Sequence, residues 1–218
     1  MQTITLNQVL PRVFAGMEDD GSIAASEVWL RSVAFERGCR TLVAAESGGG
    51  KSSLLSFLFG RRTDDLGSIA FDGNDISALD TGAWCALRST SLSLLPQEMN
   101  LFGEITALEN VLVKNRLTGF RSPEWIMAAF AELEIDNRAN TLCSRMSVGQ
   151  QQRVAIIRAL CQPFDFLLLD EPVSHLDPRT NAKAAALIER EASALSAGII
   201  VTSVGNPLSL DYTKTLRL

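Results

Sequence analysis

Residues 146–171 read MSVGQQQRVAIIRALCQPFDFLLLDE. A serine opens a helix-compatible run from Gly149 to Leu160, and the chain then enters Phe164–Leu169, which is apolar without alternation. That pattern is expected of a strand covered on both faces, as in a parallel sheet. The run ends in Asp170-Glu171, so two carboxylates stand where open α/β sheets deliver side chains into a ligand crevice. Two adjacent acids could also be solvated strand caps. Helix followed by doubly covered strand sets the class as α/β.

The same apolar habit marks other segments. Strands are expected at Ile4–Leu6, Arg40–Ala45, Ser68–Phe71, Leu92–Leu95, Phe164–Asp170 and Gly198–Thr202. Helices are expected at Lys51–Phe59, Pro123–Leu133, Gly149–Leu160 and Asn181–Ala197, with another around Ala107–Asn115. Strand-turn-helix order points to a mainly parallel sheet. Residues of about 100–148 show helical patterns and no convincing strand, which reads as a helical subdomain inserted between core segments 1–99 and 149–218. All of 1–218 then forms a single domain, with an acidic surface loop or hairpin at Gly16–Ser26.

Composition narrows the partners. The chain has 218 residues, 46% hydrophobic and 21% charged, with a formal charge of −5, and this balance argues against nucleic acid. The cysteines at 39, 85, 143 and 161 form no CxxC pair, and with one histidine they read as reduced, mostly packed thiols. The N-terminus lacks the basic and apolar regions of a signal peptide. No run approaches the roughly 18 apolar residues that cross a bilayer, so any membrane role needs another subunit.

Upstream, Ala45-Glu46-Ser47-Gly48-Gly49-Gly50-Lys51-Ser52 follows an apolar strand and opens a helix. A G-x-x-x-x-G-K-[ST] loop uses glycines so that backbone N–H groups can wrap phosphate oxygens. The helix N-terminus adds partial positive charge, Lys51 reaches the terminal phosphates, and Ser52 offers a hydroxyl to Mg²⁺. Alanine at position 45 stands where the motif has its first glycine. The motif alone indicates nucleotide phosphates, and kinases and GTPases share it. With it in place, Asp170 is the candidate Mg²⁺ ligand and Glu171 the candidate general base.

Met146-Ser147-Val148-Gly149-Gln150 resembles the L-S-G-G-Q signature of the ABC ATPase family, and Gln151–Leu160 resembles the helix that follows it. The resemblance covers nearly the whole chain. It implies a P-loop NTPase core with antiparallel N-terminal β elements and an inserted helical subdomain. It also implies that Ser147, Gly149 and Gln150 clamp the γ-phosphate of ATP bound to a partner copy; a serine before a Gln-rich helix is also an ordinary helix N-cap, and the two roles are compatible. Ser47, Gly48, Gly49, Gly50, Lys51, Ser52 and Ser53 become the ATP-binding loop of the chain's own site.

Other positions carry over singly. Gln97 resembles the glutamine that senses Mg²⁺ and touches a transmembrane partner. Ser174-His175-Leu176-Asp177 resembles the loop that crosses the dimer interface, which makes His175 a loop residue and not a base. Phe14 is the candidate adenine-stacking aromatic, or else a core phenylalanine. Short matches at Leu87-Arg88 and Glu109-Asn110-Val111 resemble ATPases of lipoprotein-release, macrolide-export and cell-division systems.

Three positions depart from the pattern. Ser203 follows Ile199–Thr202 where a histidine should contact the γ-phosphate, and its hydroxyl is shorter and carries no charge. Losing one donor aimed at transition-state charge costs on the order of 10²–10³ in rate. Val148 replaces a signature glycine, and Ala45 the first loop glycine. The expectation is an ATP- and Mg²⁺-dependent ATPase subunit, peripheral on the inner face of the cell membrane. It pairs with a second copy or a paralogous ATPase subunit, and with a transmembrane permease subunit. Its rivals are a module that uses ATP mainly for dimerisation, and a soluble non-transport ABC ATPase.

Overall fold

The computed structural model describes residues 1–17, 21–46 and 48–218, the side chain of Ser22 excepted. Strand β1 (Thr3–Pro11) precedes a short helix α1 (Gly21–Ala24), then β2 (Ser32–Glu36) and β3 (Arg40–Ala44). Helix α2 (Lys51–Leu58) leads to β4 (Asp65–Phe71) and β5 (Asn74–Asp75), then α3 (Thr81–Thr90) and β6 (Leu92–Leu95). Helices α4 (Ala107–Asn115), α5 (Pro123–Glu132) and α6 (Val148–Ala159) follow. The order ends with β7 (Phe166–Asp170), α7 (Pro178–Ala194), β8 (Gly198–Ser203) and β9 (Lys214–Arg217).

The strands form a five-stranded sheet in the order β6-β7-β8-β3-β9 and a four-stranded sheet in the order β2-β1-β4-β5. Every pairing in the first is parallel and every pairing in the second antiparallel. All five residues of β7 are buried, and the reason is visible in its two faces. Leu167 and Leu169 join a core with Val111, Phe130, Ile157 and Leu187. Phe166 and Leu168 join a separate core with Ile4, Phe35 and Leu55. Each such side chain contributes about 1.5–3 kcal/mol by leaving water, so an unpaired polar side chain in place of Phe166, Leu167, Leu168 or Leu169 would be costly.

Between β6 and α6, the described residues contain helices α4 and α5 and no named strand. Val111, Ile126 and Phe130 bury against the same core as Leu167, so this stretch shares its interior with the sheet. Helix α5 starts where Ser122 accepts from the Trp125 N–H at 3.2 Å, with Pro123 in the first turn. Just before it, the Arg121 guanidinium lies 4.3 Å from the Phe120 ring and 4.0 Å from the Trp125 ring. The same guanidinium pairs with Glu191 of α7 at 2.8 Å.

Several boundaries differ from expectation. Helix α7 begins at Pro178 and not Asn181, because Asp177 caps it through the Thr180 N–H at 3.0 Å. Strand β7 begins at Phe166 and not Phe164. Strands β2, β5 and β9 and helix α3 were not expected. Helix α3 has no fully buried residue and hence a weak apolar stripe, while β9 buries only Leu216. Part of Gly16–Ser26 forms helix α1, and Glu18, Asp19 and Asp20 lie outside the described residues. All four cysteines are free; Cys143 and Cys161 are buried, but Cys85 is exposed. No helix among the described residues is long and apolar enough to cross a membrane.

Candidate nucleotide site

The turn from β3 into α2 is built on glycine. Gly50 occupies the N-cap of α2 at φ 91°, a left-handed conformation that side chains resist. Space forbids a side chain there as well: a Cβ would stand 3.0 Å from Trp29 Cζ2 and 3.1 Å from Phe14 Cε2. The Trp29 indole also donates to the Gly49 carbonyl at 3.0 Å, so two aromatic residues support the loop from beneath. Gly48 has φ 88°. Ala45 keeps a φ open to any L-residue, and its N–H donates to the Ser203 carbonyl at 3.2 Å. Alanine at that position therefore needs no left-handed backbone. Ser47 lies outside the described residues.

The Lys51 ammonium is 6% exposed. It donates to the Glu46 carbonyl at 2.8 Å and the Ala45 carbonyl at 3.3 Å, and stands 3.8 Å from Glu171 Oε1. A buried cation with no rigid partner beyond loop carbonyls is a donor ready for phosphate oxygens. The Ser53 hydroxyl is engaged by Arg62 at 2.7 Å, which leaves Ser53 only its backbone to offer.

Asp170 and Glu171 stand at the end of β7. The Asp170 carboxylate accepts from the Thr202 hydroxyl at 2.6 Å and is 4% exposed. It lines a cavity of about 60 Å³ with Ser52, Gln97 and Glu98. One carboxylate, one hydroxyl and one amide oxygen are hard donors that suit Mg²⁺, which takes its remaining ligands from water and phosphate. No group of three or more His, Cys, Asp or Glu side chains that could hold a metal occurs among the described residues. Glu171 has φ 48°, which costs about 1–3 kcal/mol for a residue with a side chain. Its N–H donates to the Thr202 carbonyl at 3.1 Å. Register pairs Asp170 with Thr202, and Ser203 with Ala44, so Ser203 is buried beside the phosphate loop.

Ser147 caps α6, which Val148, Gly149 and Gln150 begin, and none of these four takes part in the contacts above. The Ser147 hydroxyl accepts from the Gln150 N–H at 3.3 Å, and Gln150 Oε1 accepts from the Ser147 N–H at 3.0 Å. This reciprocal cap gives the helix a defined start. Val148 is exposed. Gly149 packs against the following loop, where a Cβ would lie 2.8 Å from the His175 carbonyl oxygen. Arg153 donates to the Gly149 and Leu133 carbonyls, which makes it a brace and not a free basic site.

Phe14 ends a turn after β1 and is half-buried. It borders a cavity of about 580 Å³ that Trp29, Glu46, Gly48, Gly49 and Arg217 also line. Its place beside the phosphate loop suits either an adenine platform or a loop support. Three residues went unread in the sequence: Trp29, Thr202 and Gln152. Gln152 is 1% exposed; its amide donates to the Glu171 carbonyl at 3.1 Å and to Ser174 Oγ at 3.2 Å, and its Oε1 accepts from the His175 N–H at 3.0 Å. Three consecutive glutamines hid which one turns inward.

Residues 31–174 match the family model described as ABC transporter. This chain belongs to the ABC transporter family. Methionine import ATP-binding protein MetN of Cutibacterium acnes is 33% identical over 173 residues, covering 78% of the chain and 47% of that relative. The chain thus spans about half the length of that relative. Lipoprotein-releasing system ATP-binding protein LolD 1 of Chlorobium chlorochromatii is 32% identical over 198 residues, covering 89% of the chain and 80% of the relative. The dimeric ADP- and Pi-bound ATP-binding cassette MJ0796 superposes with a TM-score of 0.75 at 23% identity, over 93% and 88% of the two chains. A bacterial Atm1-family ABC exporter with ATP bound gives a TM-score of 0.72 at 24% identity, over 93% of this chain and 34% of the exporter. The fold of this ABC family member is that of the ATP-binding cassette.

Proposed function

We propose that this chain is the ATP-binding and hydrolysing subunit of an ABC-type membrane transporter, a single ATPase domain whose 100–148 segment is the helical signature subdomain. The observation that carries this reading is the convergence of Lys51, Ser52, Gln97, Asp170 and Glu171 around one loop, while Ser147, the cap of α6, takes no part in those contacts. Two half-sites in one chain call for a second copy, or a paralogous ATPase subunit. Each ATP is then held between Lys51 of one copy and Ser147 of the other. Gly48, Gly49, Gly50 and Ser53 line the triphosphate through their backbone, and Phe14 meets the adenine. Ser52, Gln97 and Asp170 would hold Mg²⁺, which when bound neutralises charge on the phosphate oxygens.

Glu171 orients the attacking water. The water oxygen bonds to the γ-phosphorus while the bond from that phosphorus to the bridging oxygen breaks. The electron pair leaves with ADP, and Glu171 takes a water proton. ATP-driven closure passes to a permease through the groove near Gln97, which places the chain peripherally on the inner membrane face. Similarity to MetN and LolD 1 supports the transporter role.

Ser203 favours slow turnover, and a second reading in which ATP serves mainly as dimerisation glue rests on that one residue. The test is phosphate release by the chain co-purified with its permease. Slow turnover that Ser203→His raises by tenfold or more is expected. Turnover unchanged by Ser203→His would overturn the impairment, and absence of ATP-dependent phosphate release in both forms would favour the second reading.

A further inference from the structure

His175 is the sole histidine in the chain, and it lies where the signature surface is exposed and not in the position that Ser203 fills. Three contacts hold it there. The Ser174 hydroxyl is 2.9 Å from its Nδ1, Gln152 fixes its backbone N–H at 3.0 Å, and its carbonyl oxygen abuts Gly149 so closely that no Cβ fits between them. The His175 backbone is therefore packed against the first turn of α6, and its side chain is exposed. Its Nε2 has no hydrogen-bond partner among the described residues. Ser174 Oγ accepts from the Gln152 amide, so its own proton is free for Nδ1, and in that arrangement the imidazole proton sits on Nε2.

The phosphate site in the same chain lacks such a group. At the end of β8 the side chain is Ser203, 5% exposed, with a short neutral hydroxyl. Lys51 is the cation close to Glu171.

We propose that His175 acts in trans, donating its Nε2–H to a γ-phosphate oxygen of the ATP bound at Lys51 of the other copy and replacing in part the imidazole that Ser203 does not supply. The inference rests on the two-copy sandwich proposed above. Gly149 packs against the His175 carbonyl, so the exposed His175 side chain is anchored next to the backbone that receives the γ-phosphate in the sandwich. His175 keeps its proton throughout; the bond broken and the proton transferred to Glu171 are those already described. Gln152 then acts as a positioning residue, since it sets the His175 backbone and the Glu171 carbonyl together.

The test is steady-state MgATP hydrolysis by the purified chain for wild type, His175→Ala, His175→Gln, Ser203→His and the double variant His175→Ala with Ser203→His. His175→Ala lowers kcat by about 10²-fold, the usual effect of removing one transition-state donor, and leaves KM within about twofold. Ser203→His restores the rate of His175→Ala to the wild-type level or above. Unchanged kcat in His175→Ala overturns the proposal. So does a loss of rate that Ser203→His fails to restore in a variant that still melts like wild type, for that pattern marks a structural role. ATP-driven dimerisation of Glu171→Gln, measured by light scattering, separates the two readings. A dimer without any His175-dependent turnover sinks this proposal alone; no dimer and no turnover sinks the sandwich with it.

Discussion

The Gln152 amide donates to the backbone oxygen of Glu171 at 3.1 Å, joining the helix behind Ser147 to the strand end that carries both acids. The same side chain holds Ser174 and His175, so three segments meet on one buried amide. Glu171 sits at φ 48°, and a conformation of that kind persists only where neighbours over-determine it. Gln152 is such a neighbour.

Replacing Gln152 with Leu removes these bonds, leaving the part-buried His175 N–H without its partner and the Glu171 carbonyl with only the Ser174 N–H at 3.4 Å. The expected cost is about 2–3 kcal/mol, from unsatisfied buried groups. For a chain of this size that lowers Tm by roughly 4–12 °C, measured by calorimetry. ATP turnover falls further than Tm accounts for at a temperature where the variant is folded. A variant with wild-type Tm and turnover would show that the amide bonds are incidental.

Gly50→Ala meets two obstacles at once, a φ of 91° and contacts of 3.0 Å and 3.1 Å with Trp29 and Phe14. The left-handed backbone alone costs about 1–2 kcal/mol. Nucleotide affinity, read by fluorescent ATP-analogue titration, should fall by tenfold or more because the loop N–H groups lose their alignment. Trp29→Phe keeps the packing but removes the donor to the Gly49 carbonyl, and a smaller loss is expected.

Arg121→Lys keeps the charge that faces Glu191 but loses the stacking on Phe120 and Trp125 and the hydrogen bond from Nε to the Leu160 carbonyl. Lysine cannot reproduce a planar fork, so about 2 kcal/mol of stability is expected to go. Chemical denaturation would show a lower midpoint. Hydrogen exchange would show the loss concentrated in α5.

The cysteines should separate by reactivity. Burial pushes the Cys161 thiol up to about 12, and burial also raises Cys143. The thiolate is the nucleophile, so at pH 8 Cys161 stays protonated and inert in the folded chain. Iodoacetamide followed by peptide mass spectrometry should label exposed Cys85 first, half-buried Cys39 more slowly, and Cys143 and Cys161 only on unfolding. Early labelling of Cys161 would contradict the packing around it.

Much of the site was legible before any coordinates. Gly48 to Ser52 and Asp170-Glu171 are contiguous motifs, and their chemistry follows from backbone conformation and from where a strand ends. The apolar runs at Arg40–Ala44 and Phe166–Asp170 announced a doubly covered parallel sheet for the same reason. Strand β9 was illegible because it buries only Leu216 and owes its form to hydrogen bonds with β3, remote in sequence. Strand β2 carries a legible alternation in Val33 and Phe35, but over only five residues.

By itself the sequence determined the family, the α/β class, the phosphate loop and the paired acids, because each depends on neighbours along the chain. Only the tertiary structure decided that Gln152 turns inward, that Trp29 and Phe14 support Gly50, and that His175 lies against Gly149. Those relationships join residues 19 to 36 positions apart, brought together by burial of two cores on either side of one sheet. Hydrophobic burial sets which segments meet without direction. The hydrogen bonds that give direction form after the meeting, between groups whose local sequence does not mark them as partners.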